Sequence, residues 1–210
     1  MKLFKLALLM LVPFFAITNA NAAQLQEGTT HFTITPPQPT STEEGTIEVI
    51  EIFSYGCSHC HRFEPILERW LKTKPDNVKF VQLPAIFNDV LAMYARAFYT
   101  AESLGVLDKI HKPFFEAIHM QKRRMNTEAE IKDLFVEHGV DEEKFDKTFR
   151  SFAVEAKVRR AAELGRRYGV QATPSMVVNG KYITDPGKTN GFRGMINTID
   201  SLIEQEQKGS

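Results

Sequence analysis

The chain has 210 residues, 43% of them hydrophobic, 10% aromatic and 25% charged, the composition of a soluble globular protein with enough apolar mass for a core that needs no staples. Its 26 basic and 26 acidic residues balance; without Lys2 and Lys5, which lie in the leader described next, 24 basic face 26 acidic, a net charge near −2. That balance argues against nucleic acid or an anionic membrane as the main partner.

Residues 1–22 read as a signal peptide. Lys2 and Lys5 form a basic segment, Leu6 to Ile17 an apolar one, and Ala20-Asn21-Ala22 a small-x-small cleavage signal. Cleavage is expected after Ala22, with Ala23 the alternative. The apolar stretch is shorter than the roughly 20 residues of a membrane span. No cysteine lies near the cleavage site to take a lipid anchor, and no second long apolar run follows. The mature protein is therefore expected to be exported and soluble, and the short leader points to the bacterial periplasm.

Residues 23–46 are polar, with a short edge strand predicted at His31 to Ile34 and ended by Pro36, Pro37 and Pro39. Residues 47–53 are β-branched and apolar and predict a strong strand. Gly56 breaks it, and a helix is predicted from Cys57 to Lys74, with His59, Phe63, Ile66, Leu67, Trp70 and Leu71 on one face and Pro65 as a kink. Asn77 to Leu83 predicts a second strand. From Asp89 to Gly169 the pattern is helical: 89–104, 107–121, a helix opened by the capping box Thr127-Glu128-Ala129-Glu130 and ended by Gly139, another from Asp141 to Phe152, and a last from Ala153 to Tyr168. Ser175 to Val178 and Lys181 to Ile183 flank Asn179-Gly180, a hairpin signal because type I′ turns need positive φ. A helix over 192–205 closes the chain.

Both cysteines of the chain stand together in Cys57-Ser58-His59-Cys60, at the first strand-to-helix turn. That placement and the element order predict an α/β fold, thioredoxin-like with an inserted helical domain. The thioredoxin-like domain is expected to be discontinuous, 23–88 and 170–210, around an insertion at 89–169.

A disulfide between such close neighbours closes a very short loop and adds little chain-entropy stabilisation. The simpler purpose of the pair is repeated oxidation and reduction, in an oxidising compartment where it can reside as a disulfide. Cys57 should meet unpaired N–H groups at the helix start, which favour a thiolate and mark it as the nucleophile. Cys60, one turn further in, should be the resolving thiol. His59 can also stabilise the Cys57 thiolate, as imidazolium or as an N–H donor. A thiolate exists only in the reduced form, so whatever stabilises it makes the disulfide a stronger oxidant. Half of a zinc site is the competing reading, but zinc needs two more ligands and only His59 and His61 are near, in the same helical turn. No metal is expected, and His61 reads as a flanking residue.

Glu51 is an acid in an apolar strand expected to be central and covered on both faces, sharing a face with Ile47, Val49 and Phe53. Its pKa should be raised, and it stands six residues before Cys57, as a proton acceptor or relay for Cys60 or as an edge carboxylate reaching water. Thr173-Pro174 precedes the Ser175 strand. In a thioredoxin-like arrangement this proline is cis and lies opposite the cysteines, where its neighbour's backbone can pair with an extended substrate.

These residues resemble the DsbA family of periplasmic thiol oxidases across the mature chain. The likeness runs through Glu51 to Cys60 with Phe63-Glu64, Ser103-Leu104-Gly105-Val106, Lys112-Pro113-Phe114-Phe115-Glu116, and Thr173 to Tyr182. It implies a monomer that donates its disulfide to reduced exported proteins, uses no cofactor beyond the Cys57–Cys60 pair, and is reoxidised by a DsbB-like membrane oxidase. Two positions depart from the family pattern. Ser58 stands where the family often has proline, and the intervening dipeptide tunes the redox poise. Gln82 stands at the matching position where some members carry a lysine beside the buried acid, which leaves proton relay to water or to Glu51 alone.

Two other functions compete. A disulfide isomerase or reductase of the same fold would be expected to carry an N-terminal dimerisation domain, and about 24 residues before the first strong strand are too few for one. A non-catalytic module that holds peptides or a metal near Pro174 would bind its ligand without either cysteine.

Overall fold

A computed structural model describes residues 24–209; the signal-peptide reading at 1–22 and the cleavage site fall outside them. Strand β1 is Phe32–Thr33, β2 Ile47–Phe53 and β3 Val78–Pro84; helix α1, Ser58–Leu71, connects β2 to β3. Helices α2 (Asp89–Ser103), α3 (Leu107–His119), α4 (Glu128–Glu137), α5 (Glu142–Phe149) and α6 (Phe152–Arg167) follow. Strands β4 (Ser175–Val178) and β5 (Tyr182–Thr184) and helix α7 (Phe192–Gly209) complete the fold.

The five strands form one sheet in the order β1-β5-β4-β2-β3. β2 is central and buried at all seven positions, parallel to β3 and antiparallel to β4. A parallel neighbour requires a crossover, and α1 supplies it. One face of the sheet, with Ile47 and Val49, packs on Phe63, Leu67 and Trp70 of α1 and on Met195, Ile199 and Leu202 of α7. The other, with Ile50 and Ile52, belongs to the cluster built from α2 to α6. The element order is thus the expected one: a thioredoxin-like sheet with five helices between β3 and β4.

The local signals hold where their chemistry is local. The Thr127 hydroxyl accepts from the Glu130 backbone while the Glu130 carboxylate accepts from Thr127, closing the capping box. Asn179 and Gly180 both have positive φ, 51° and 65°. Several boundaries move. The edge strand shrinks to Phe32–Thr33 because only those residues pair with β5, and His31 is buried against the Tyr182 ring instead. The hairpin's second strand starts one residue later than expected, and α7 runs four residues further, to Gly209. His59 leaves the apolar face of α1: it is exposed, and Cys60 takes the buried position.

Candidate active site at the cysteine pair

The loop Ser54-Tyr55-Gly56 delivers Cys57 to the N-cap of α1. Helix α3 grips this loop twice: His119 Nε2 lies 2.8 Å from the Tyr55 carbonyl oxygen, and His111 Nδ1 lies 2.9 Å from the Tyr55 hydroxyl. Both cysteines are free thiols, Cys57 half-buried and Cys60 fully buried. Ser58 is exposed at the first helical position.

The Cys57 thiol is lowered to about 5. The largest cause is a hydrogen bond from the Cys60 side chain; burial opposes it, and the Thr173 side chain and the backbone N–H groups of Cys60 and His59 add to it. His59 therefore contributes through its backbone, while its ring turns an edge to Phe192 at a centroid distance of 6.4 Å. Cys60 is driven the other way. Burial pushes its thiol far above the ordinary range, and its hydrogen bond to Cys57 and the charges of Glu51 and Cys57 push it further. The Thr173–Pro174 bond is cis, and the Cys57 thiol donates to the Thr173 carbonyl at 3.2 Å. Cysteines and proline loop thus meet at one end of the paired interior strands β2 and β4.

Glu51 is fully buried on β2. Burial, then the neighbouring Glu64 charge, raise its carboxyl to about 8, against the lowering effect of a hydrogen bond from Gln82. That bond runs from Gln82 Nε2 to Glu51 Oε2 at 2.9 Å. The same Gln82 nitrogen lies 3.2 Å from His111 Nε2, which lies 3.4 Å from Glu64 Oε2. One carboxylate oxygen of each acid, Glu51 Oε1 and Glu64 Oε1, is buried with no hydrogen-bond partner.

Sequence reasoning did not assign His111, Tyr55 or Glu64 to the site. Glu64 was legible in principle: it lies one turn beyond Cys60 on the same helix. His111 had no local signal, since its partners lie on β3, α1 and the loop after β2. His61 is half-buried and stacks on Phe115 and His119, 5.7 and 5.1 Å between centroids; burial and then His119 lower its pKa. Among the described residues no cluster of three or more His, Cys, Asp or Glu is placed to hold a metal, and no helix is long and apolar enough to cross a membrane.

A family model for the DSBA-like thioredoxin domain matches residues 48–193. The chain belongs to the DsbA family. The thiol:disulfide interchange protein DsbA of Pseudomonas aeruginosa is 38% identical over 201 residues, 96% of this chain and 94% of the relative. Its namesake from Burkholderia cepacia is 36% identical over 206 residues, 98% and 97% of the two chains. The crystal structure of P. aeruginosa DsbA superposes with a TM-score of 0.82 at 40% identity, covering 87% of this chain and 94% of that one. That of DsbA from Xylella fastidiosa also scores 0.82, at 30% identity, covering 88% and 98%. The chain is thus a thiol-disulfide oxidoreductase of the thiol:disulfide interchange type, and its redox group is a cysteine pair.

Proposed function

We propose that the mature protein is a periplasmic dithiol oxidase that acts as a monomer, donates the Cys57–Cys60 disulfide to reduced exported proteins, and is reoxidised by a DsbB-like membrane oxidase. A substrate thiolate attacks Cys57 Sγ, the accessible sulfur, forming a mixed disulfide and expelling Cys60 as a thiolate. Glu51, still protonated up to about pH 8, gives Cys60 its proton. The second substrate thiol then attacks the substrate's own sulfur in the mixed disulfide. The substrate leaves oxidised by two electrons, and Cys57 leaves as a thiolate. Reoxidation runs the proton step backwards: Cys60 passes its proton to the Glu51 carboxylate and resolves the mixed disulfide with the partner. A group that must both give and take a proton works best with a pKa near the operating pH. Thr173, before the cis Pro174, offers backbone to an extended substrate beside Cys57. Ser58, exposed within the motif, tunes the potential.

The observation that carries this reading is the opposed pair of thiols, one lowered to about 5 and half-buried, the other raised and fully buried. The test uses residues 23–210 and a reduced dithiol peptide. The wild type, oxidised beforehand, should oxidise the peptide and Cys57→Ser should fall to the uncatalysed rate; Cys60→Ser, given a monothiol peptide carried as its glutathione disulfide, should expel glutathione and accumulate a Cys57-linked mixed disulfide. Turnover by Cys57→Ser, or trapping on Cys60 in place of Cys57, would overturn the assignment.

A further inference from the structure

The polar groups behind the cysteines form a chain that the redox step alone does not explain. Gln82 sits between Glu51 and His111 and turns the same atom, Nε2, toward both. A side-chain amide presents two hydrogens from its nitrogen or two lone pairs from its oxygen. With the nitrogen inward, both neighbours must be acceptors: Glu51 as carboxylate and His111 with Nε2 bare. With the oxygen inward, both must be donors: Glu51 as carboxylic acid and His111 with Nε2 protonated. Any mixed state leaves one contact in a buried site mismatched, which is costly.

We propose that the Gln82 amide is a two-position coupler that makes Glu51 and His111 Nε2 gain and lose their protons together. His111 is a positioning residue in this scheme, acting on Cys60 only through Gln82 and Glu51. The inference rests on Glu51 as the proton partner of Cys60. When Glu51 gives its proton to Cys60, the amide turns its nitrogen inward. His111, in this scheme an imidazolium whose Nδ1–H is donated to the Tyr55 oxygen, then gives its Nε2 proton to the Glu64 carboxylate, the acceptor 3.4 Å away, and remains as the neutral Nδ1–H imidazole. Glu64 is 18% exposed and His111 13%, against 0% for Glu51, so the chain runs outward from the buried acid. The helical insertion thereby supplies, through α3, a titratable group to the catalytic domain.

The groups packed on His111 agree with this assignment. Tyr55 faces Nδ1; burial and then the Glu64 charge hold its phenol well above its ordinary pKa, so it stays protonated and can serve as donor or acceptor. Glu64 and Gln82 share Nε2. Phe53, Phe98 and Phe115 fill the remaining sides with rings 5.2 to 6.2 Å away. Among these neighbours the titratable groups are Tyr55 and Glu64.

The experiment is a pH titration of the reduced protein followed by ¹⁵N NMR of the histidine side chains. The protonated Glu51 carbonyl band in the infrared should vanish near pH 8, and the His111 Nε2 signal should change together with it. Gln82→Met, which fills similar space without an amide, should separate the two midpoints by about one to two pH units, the size of one lost hydrogen bond to a charged group. Glu51→Gln, which cannot ionise, should abolish the change at Nε2 that accompanies the Glu51 midpoint. If Nε2 keeps one state through the Glu51 midpoint, or tracks it unchanged in Gln82→Met, the coupling is wrong. A separate readout isolates the underlying reading: if Glu51→Gln leaves the rate of glutathione release from the Cys57 mixed disulfide unchanged, Glu51 is not the proton partner of Cys60.

Discussion

Cys57 and Cys60 are the same side chain three residues apart, and their surroundings separate them. Cys57 caps a helix and collects donors from Cys60, Thr173 and two backbone amides; Cys60 is sealed beneath it beside an acid. The consequence for stability has a definite sign. The folded Cys57 pKa, about 5, lies below the unfolded thiol value of 9.0. The unfolded chain therefore binds more protons between these values, and the thiolate stabilises the reduced fold as pH rises. That contribution is complete above about pH 9, shrinks as pH falls and is gone below about 5. Oxidised protein has no such titration. Reduced protein should accordingly melt above oxidised protein at neutral pH, with a gap that narrows down to about pH 5 and then stays level. Paired thermal melts across that range check it, and a gap independent of pH would contradict the thiolate assignment. Much of this was legible in the sequence, because a cysteine at a strand-to-helix turn meets helix-start donors whatever surrounds it. The role expected of the His59 ring was not: which way a side chain leaves a helix depends on Phe192, 133 positions away along the chain.

Elements whose ends carry their own chemistry were readable to within a residue or two. The capping box at Thr127 closes as expected and Asp141 caps α5, but the helix expected through Phe152 ends at Phe149, because Ser151 caps α6 with its side-chain oxygen. β1 was less legible because its two residues are a strand only where Phe32 and Thr33 meet Ile183 and Tyr182. The β4–β5 hairpin combines both kinds of constraint. Gly180 needs its positive φ, and a Cβ there would lie 2.1 Å from the Gln38 carbonyl oxygen. That carbonyl belongs to the segment after β1, whose Gln38 N–H donates to the Gly180 carbonyl at 2.9 Å. Gly180→Ala should therefore incur backbone strain and a clash together, about 2–4 kcal/mol in urea unfolding. A loss under 1 kcal/mol would mean that the 38–180 contact yields easily.

At the scale of the whole molecule, sheet and insertion are two units in sequence and one in packing. The larger cluster holds Ile50, Ile52, Phe53 and Leu83 of the sheet with Phe98, Phe114, Phe115, Phe135 and Phe145 of the helices. Phe53 is the hinge of that shared core: fully buried at the end of β2, it meets the rings of Tyr55, Phe98, His111 and Phe115 at 5.3 to 6.1 Å. A helical block inserted as an independent domain would have its own core and could melt alone; this one completes its core with the sheet. Trp70, the sole tryptophan, lies in the other cluster, between α1 and α7, and reports on the sheet side. Far-ultraviolet circular dichroism is weighted toward the helices, five of which lie in the insertion. In the wild type the two signals should give one coincident transition. Phe53→Ala should remove about 3–5 kcal/mol and move both midpoints equally, because the cavity opens in the core they share. If the dichroism signal falls first while Trp70 fluorescence holds, the insertion is a separate folding unit. The His111–Gln82 contact would then be broken while the sheet still stood, so a shared transition is what keeps α3 in place behind Glu51 for as long as the cysteines are delivered.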